Sequence, residues 1–148
     1  MGDFKLTSSA FEDGGEIPRE CGYKNGNKVP PLHVSGIPEG TKSLALIMDD
    51  PDAMEPAGKV WVHWVVWNMD LTFLPSIENL DKIEGMTDFG EVGYGGPAPP
   101  DKRHTYVFKL YALDSELNLP GESTKADVEK AMEGHIIAEA KLTGTYAP

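Results

Sequence analysis

The chain has 148 residues, 40% hydrophobic and 25% charged, with 24 acidic against 13 basic side chains and a net charge of −11. The size and composition fit one folded domain over residues 1–148 and exclude a disordered chain. The acidic balance excludes nucleic acid and anionic membrane as general partners, so an anionic ligand would need a local device such as histidines or backbone N–H groups.

Residues 1–38 are dense in turn formers: Glu12-Asp13-Gly14-Gly15, Lys24-Asn25-Gly26-Asn27, Pro30-Pro31 and Pro38. Asn25-Gly26 is a two-residue hairpin signal, and only short strands fit between these turns. Ser43 to Met48 is apolar without alternation and reads as a strand buried on both faces, ended by Asp49-Asp50-Pro51-Asp52. Lys59 to Met69 reads as a second buried strand, holding all three tryptophans. A period of two puts Trp61, His63, Val65 and Trp67 on one face and Val60, Val62, Trp64 and Val66 on the other.

Residues 70–102 read as irregular, ending in the Gly/Pro-rich run Gly93 to Pro100. His104 to Leu113 is the third strong strand, with His104, Tyr106, Phe108 and Leu110 on one face. The one good helix opens at Thr124-x-x-Asp127, a capping box, and closes near Gly134. A final half-exposed strand carries Ala138, Ala140 and Leu142. Short strands, one short helix and long loops predict a mainly β domain of two packed antiparallel sheets.

The start, Met1-Gly2-Asp3-Phe4-Lys5, lacks the order of a signal peptide, and Val60 to Met69 is too short to span a bilayer. A cytoplasmic protein without integral membrane contact is expected. The lone cysteine, Cys21, excludes an intramolecular disulfide and a cysteine-based zinc cage. Cys21, His33 and His135 read as structural.

Chemistry-bearing residues fall on three strands. Asp50 and Asp52 end one, Trp61 and His63 lie on the second, and His104 and Tyr106 open the third after the Gly/Pro loop. If these strand ends meet, they line a cavity with an apolar tryptophan wall and a few convergent polar groups, the usual form of a ligand site. The backbone at Gly95-Gly96-Pro97 can approach a ligand closely, with its N–H groups facing an anion. Histidine and tyrosine donors complete an oxyanion pocket. Taken singly, each residue also fits a structural role: a capped turn at Asp50-Pro51-Asp52, core packing for the tryptophans, hydrogen-bonded core for each histidine.

Familiar catalytic motifs are missing. There is no GxSxG or HExxH, and Gly93-Tyr94-Gly95-Gly96 is neither GxGxxG nor a Walker loop. No nucleophile stands out. A metal on Asp50, Asp52, His63 and His104 lacks a supporting helical His pair. The expectation is therefore no cofactor, no metal and no enzymatic activity.

Three ordered blocks resemble the phosphatidylethanolamine-binding protein family, which includes the Raf kinase inhibitor protein, and in particular its short bacterial and archaeal branch. They are Asp50-Pro51-Asp52-Ala53, Trp61-Val62-His63-Trp64-Val65-Val66-Trp67-Asn68, and Gly93 to Pro100 followed by His104-Thr105-Tyr106-Val107-Phe108. Met54, Ala98 and Thr105 depart from the residues usual at their positions. The resemblance implies a β-sandwich with a small anion pocket lined by Asp50, Trp61, His63, Gly96, Pro97, His104 and Tyr106, with Asp52 nearby. The implied ligand is phosphate, a carboxylate or a phosphoethanolamine-like group. A protein inhibitor of a serine protease or kinase is the alternative, and a His/Asp acid–base enzyme on a phosphorylated small molecule the third reading. A homodimer is left open.

Overall fold

A computed structural model describes residues 3–69, 71, 77 and 82–148; positions 70, 72–76 and 78–81 of the stretch expected to be irregular lie outside the described residues. Among the described residues eight strands appear: β1 (Lys5–Thr7), β2 (Gly15–Glu16), β3 (His33–Ser35), β4 (Ser43–Asp50), β5 (Trp61–Trp67), β6 (Ile83–Glu84), β7 (His104–Leu113) and β8 (Ile136–Tyr146). Six form one sheet in the order β2-β8-β7-β4-β5-β6, and β1 pairs with β3 in a second, two-stranded sheet. The fold is mainly β with two sheets, as expected. One ladder differs: β2 runs parallel to β8, joining segments 130 residues apart, the long separation that parallel pairing tolerates and a hairpin does not.

The central strand β4 is buried at all eight positions because both faces of the large sheet are covered. On one face Leu44, Leu46 and Met48 join Trp64, Val66, Tyr106, Phe108 and Leu110, packed against Leu6 and Val34 of the small sheet. On the other face Ala45, Ile47, Val65 and Trp67 pack under the helix α2 (Lys125–Met132) through its Val128 and Met132. Thr124 caps α2: its hydroxyl accepts from Asp127 N–H at 3.2 Å and Asp127 returns the bond to Thr124 N–H at 3.0 Å.

A second helix, α1 (Met54–Ala57), is one turn long and follows the 3-10 turn Pro51–Ala53. It was not expected, being too short for any periodicity to show. Asn25-Gly26 makes a tight turn, with Asn25 and Asn27 N–H bonded to Gly22 O, but no strands flank it, so the expected hairpin does not form.

The expected faces of β5 are half right. Met48 pairs with Trp64 and Asp49 with Val62, so His63 is an extra residue in a β-bulge. Beyond the bulge the alternation resets. Val65 and Trp67 face the helix side, while Trp61 lies opposite Asp50 and His63 packs against Tyr106 on the small-sheet side. A bulge increases local twist and re-aims side chains, and a strict period of two cannot register it.

Candidate functional site

The bulge places His63 where strand alternation alone would not, beside the ends of β4 and β7. Because β4 lies between β5 and β7, Asp50 at its end is flanked by Trp61 and His63 on one side and by His104 and Tyr106 on the other. Asp50, Trp61, His63 and His104 line one cavity of about 210 Å³, closed by Ala53, Pro56 and Ala57 from the α1 segment and by Phe89, Ala98 and Pro100 from the loops.

Asp50 is 3% exposed. Its Oδ1 accepts from Asp52 N–H at 2.9 Å, capping the turn that Pro51 begins, and its Oδ2 lies 2.6 Å from His104 Nδ1. His104, 1% exposed, also has Asp101 Oδ1 2.7 Å from its Nε2. Two carboxylates on two ring nitrogens require both nitrogens to donate, which is the imidazolium form. Burial alone depresses the His104 pKa, but the bonds to Asp50 and Asp101 outweigh it and the net shift is upward. Asp101 is thus a partner of His104 that the sequence reading missed; it sits in an irregular loop and matches no motif.

His63 behaves oppositely. Burial lowers its pKa against the pull of the Gly95 carbonyl, so the ring is neutral near pH 7. Its Nδ1 donates to Gly95 O at 2.7 Å, which leaves Nε2 a hydrogen-bond acceptor. Phe89 stacks flat on Tyr23 at 4.0 Å and turns its edge to Trp61 and His63, fixing the aromatic wall. No sequence signal distinguished Phe89 from an ordinary loop aromatic.

Two donors at this site are orphaned. Trp61 Nε1–H is buried without a hydrogen-bond partner. The Tyr106 hydroxyl is fully buried near the Ala98 backbone and the Asp50 carboxylate without a well-formed bond to either. Burial and the Asp50 charge push the Tyr106 pKa far up, so it remains a donor. A third orphan, Trp67 Nε1, belongs to the opposite face. Among the described residues no group of three or more His, Cys, Asp or Glu side chains is arranged to hold a metal ion.

The remaining expected residues lie off the cavity wall, Tyr106 among them, fully buried behind it. The Gly96 N–H does not face the cavity but donates to Asn27 Oδ1 at 2.7 Å, and Gly95 N–H donates to His63 O at 2.8 Å, so these amides form no open anion nest. Gly96 is glycine for a packing reason: a Cβ there would stand 2.0 Å from Cys21 O. Pro97 faces a neighbouring hollow with Arg19, Lys24 and Tyr146, and its carbonyl accepts from Tyr23 N–H. The Asp52 carboxylate is exposed and accepts from Thr105 N–H at 2.8 Å, tying the turn to the start of β7. Cys21 is buried, its thiol pushed up to about 11 by burial and by Glu20, which fits its structural reading. No helix among the described residues is long and apolar enough to cross a membrane.

Comparison with known proteins follows the same lines. Residues 7–147 match the family model described as phosphatidylethanolamine-binding protein. A UPF0098 protein of Methanothermobacter thermautotrophicus is 44% identical over 149 residues, covering 95% of this chain and 97% of the relative. One from Chlamydia muridarum is 41% identical over 150 residues, covering 96% and 97%. Among solved structures, a phosphatidylethanolamine-binding protein homologue from Chlamydia trachomatis superposes with a TM-score of 0.91 at 39% identity, covering 99% of this chain and 98% of that one. The E. coli protein YbcL superposes with a TM-score of 0.86 at 34% identity and 98% coverage of each. A carboxypeptidase Y inhibitor, solved with its proteinase, reaches 0.57 at 17% identity and shares the fold alone.

Proposed function

The chain belongs to the phosphatidylethanolamine-binding protein family, and from that premise we propose that it is a non-enzymatic binding protein whose cavity at Asp50, Trp61, His63 and His104, with Tyr106 buried behind it, takes a small phosphate-type anion or phosphomonoester. The observation that carries this reading is one cavity wall shared by His104, paired with the Asp50 carboxylate, and Trp61, whose buried Nε1–H has no hydrogen-bond partner; the Tyr106 hydroxyl lies behind that wall. Buried polar groups are nearly always partnered, so unpartnered donors beside a hollow favour an occupant that brings acceptor oxygens. A volume of about 210 Å³ is below the ~300–1,000 Å³ of sites for drug-sized molecules, which favours a small ion or a head group.

The same geometry weighs against His104 as a general base. The pair His104–Asp50 exists, but in its imidazolium form the ring has no lone pair with which to act as a general base toward a substrate.

Calorimetry with inorganic phosphate, phosphoethanolamine and acetate at pH 6 tests the reading. Saturable phosphate binding that weakens about tenfold or more in His104→Gln is expected, since a hydrogen bond to a charged group contributes about 1.5–3 kcal/mol. A folded sample that binds none of the three at millimolar concentration between pH 5 and 8 overturns it.

A further inference from the structure

The two carboxylates on His104 differ in kind. Asp50 ends a central strand, and its other oxygen is fixed by the turn it caps. Asp101 lies in the loop between Pro100 and His104, its side chain 36% exposed, with the amides of its own loop near its carboxylate. One bond at 2.7 Å from Asp101 Oδ1 to His104 Nε2 therefore holds a solvent-reaching side chain over a buried cation. Pro100, its immediate neighbour, is part of the cavity wall.

We propose that Asp101 is an internal occupant of the anion site: its carboxylate holds the His104 Nε2 hydrogen bond that a ligand's anionic oxygen takes over on binding, and it must swing toward solvent for the pocket to load. The inference rests on the anion-site reading above and adds to it a gate and a selectivity. Asp50, locked on both oxygens, keeps the ring charged in either state. Asp101, whose one bond to a side chain is the exchangeable one to His104 and which already reaches water, is the partner that can leave at little cost.

The gate has a chemical consequence. A carboxylate tethered three residues away competes at an effective concentration of millimolar order or above. A free monocarboxylate offers His104 the same bond and no more, so it does not displace its tethered equivalent at millimolar concentration. A phosphoryl group brings further acceptor oxygens, which can also satisfy Trp61 Nε1–H on the cavity wall. In this chain the site therefore favours phosphate and phosphomonoesters over lone carboxylates, and Asp101 sets that preference.

The experiment titrates inorganic phosphate and acetate separately into the full chain, into Asp101→Asn and into Glu55→Gln, at pH 6 and fixed ionic strength. Glu55 sits beside the cavity-lining Pro56 but pairs with Lys102 at 3.2 Å, so its loss removes the same charge without touching His104. If Asp101 holds His104 in nine molecules of ten, Asp101→Asn binds phosphate about tenfold tighter, and acetate binding becomes measurable. Glu55→Gln stays within about twofold of the parent, as an exposed charge in screened solvent should. Phosphate binding by the parent with equal or weaker binding by Asp101→Asn overturns the gate and leaves the pocket reading standing. An equal gain in Glu55→Gln also overturns it, because the effect is then one of general field. No binding by any of the three folded proteins overturns both the gate and the reading beneath it.

Discussion

Asp49 and Asp50 are adjacent on β4 and almost equally buried, at 2% and 3% exposed, yet they face opposite sides of the sheet and do different work. Asp49 meets Lys125 Nζ at 2.8 Å and Lys109 Nζ at 3.3 Å, an ion cluster that fastens α2 to the sheet. Asp50 meets an imidazole that can gain or lose charge, at the wall of a cavity. Burial of a carboxylate is thus no sign of function by itself. What separates the two is the partner: permanent cations make a fastening, whereas a titratable partner beside a hollow makes a candidate site.

The comparison breaks first at Asp49. Asp49→Asn leaves two ammonium groups without their shared counter-charge and should cost about 3 kcal/mol of stability by denaturant unfolding, while phosphate affinity stays unchanged. A loss of affinity without a loss of stability would reverse the roles assigned here. Asp50→Asn should do the converse: phosphate affinity falls by about 2 kcal/mol, some thirtyfold, because His104 loses the carboxylate that holds it charged. Its loss of stability should be smaller than that of Asp49→Asn.

Gly96 sharpens the boundary of the site. Gly96→Ala pushes a methyl group into Cys21 O and should cost about 1 kcal/mol or more. If its main effect were on phosphate affinity at full stability, the Gly96 amide would belong to the ligand after all.

The smallest effect is the dependence of stability on pH, and the two site histidines pull it in opposite directions. His104, raised above 6.5 in the folded state, contributes stability that is complete below about pH 6.5 and is lost as pH rises through its folded value. His63, lowered from 6.5, contributes stability present above about pH 6.5 and lost as pH falls through its folded value. Each slope is at most about 1.4 kcal/mol per pH unit. His104→Gln should flatten the alkaline decline alone, and His63→Gln the acid one; the reverse assignment contradicts the two charge states.

Much of this was legible in the residues and some was not. The unbroken apolar run of β4, the alternation of β7 and the capping box of α2 each report a local preference that the packing then satisfies. Asp50, His63 and His104, which the fold brings to one cavity, stood out because each is a polar side chain on an otherwise apolar strand, Asp50 and His104 at strand ends and His63 within one. The bulge at His63 was hidden because it belongs to the pairing of two strands, which neither strand encodes alone. Asp101 and Phe89 were hidden for a related reason: they reach the site from irregular loops, where no period relates position to direction. Gly96 was misread because a glycine needed for close packing looks, in sequence, like one needed for a ligand.

The most direct test of an anion pocket at His104 follows the imidazole nitrogens of all four histidines by NMR during a phosphate titration at pH 6. His135, exposed and paired with Asp114 at 2.8 Å, serves as the internal control for general anion effects. The account predicts saturable shifts at His104 and His63 with one common affinity, and none at His135. Shifts of equal size and linear course at His135 and His104, or no shift at His104 in a folded sample, would contradict it.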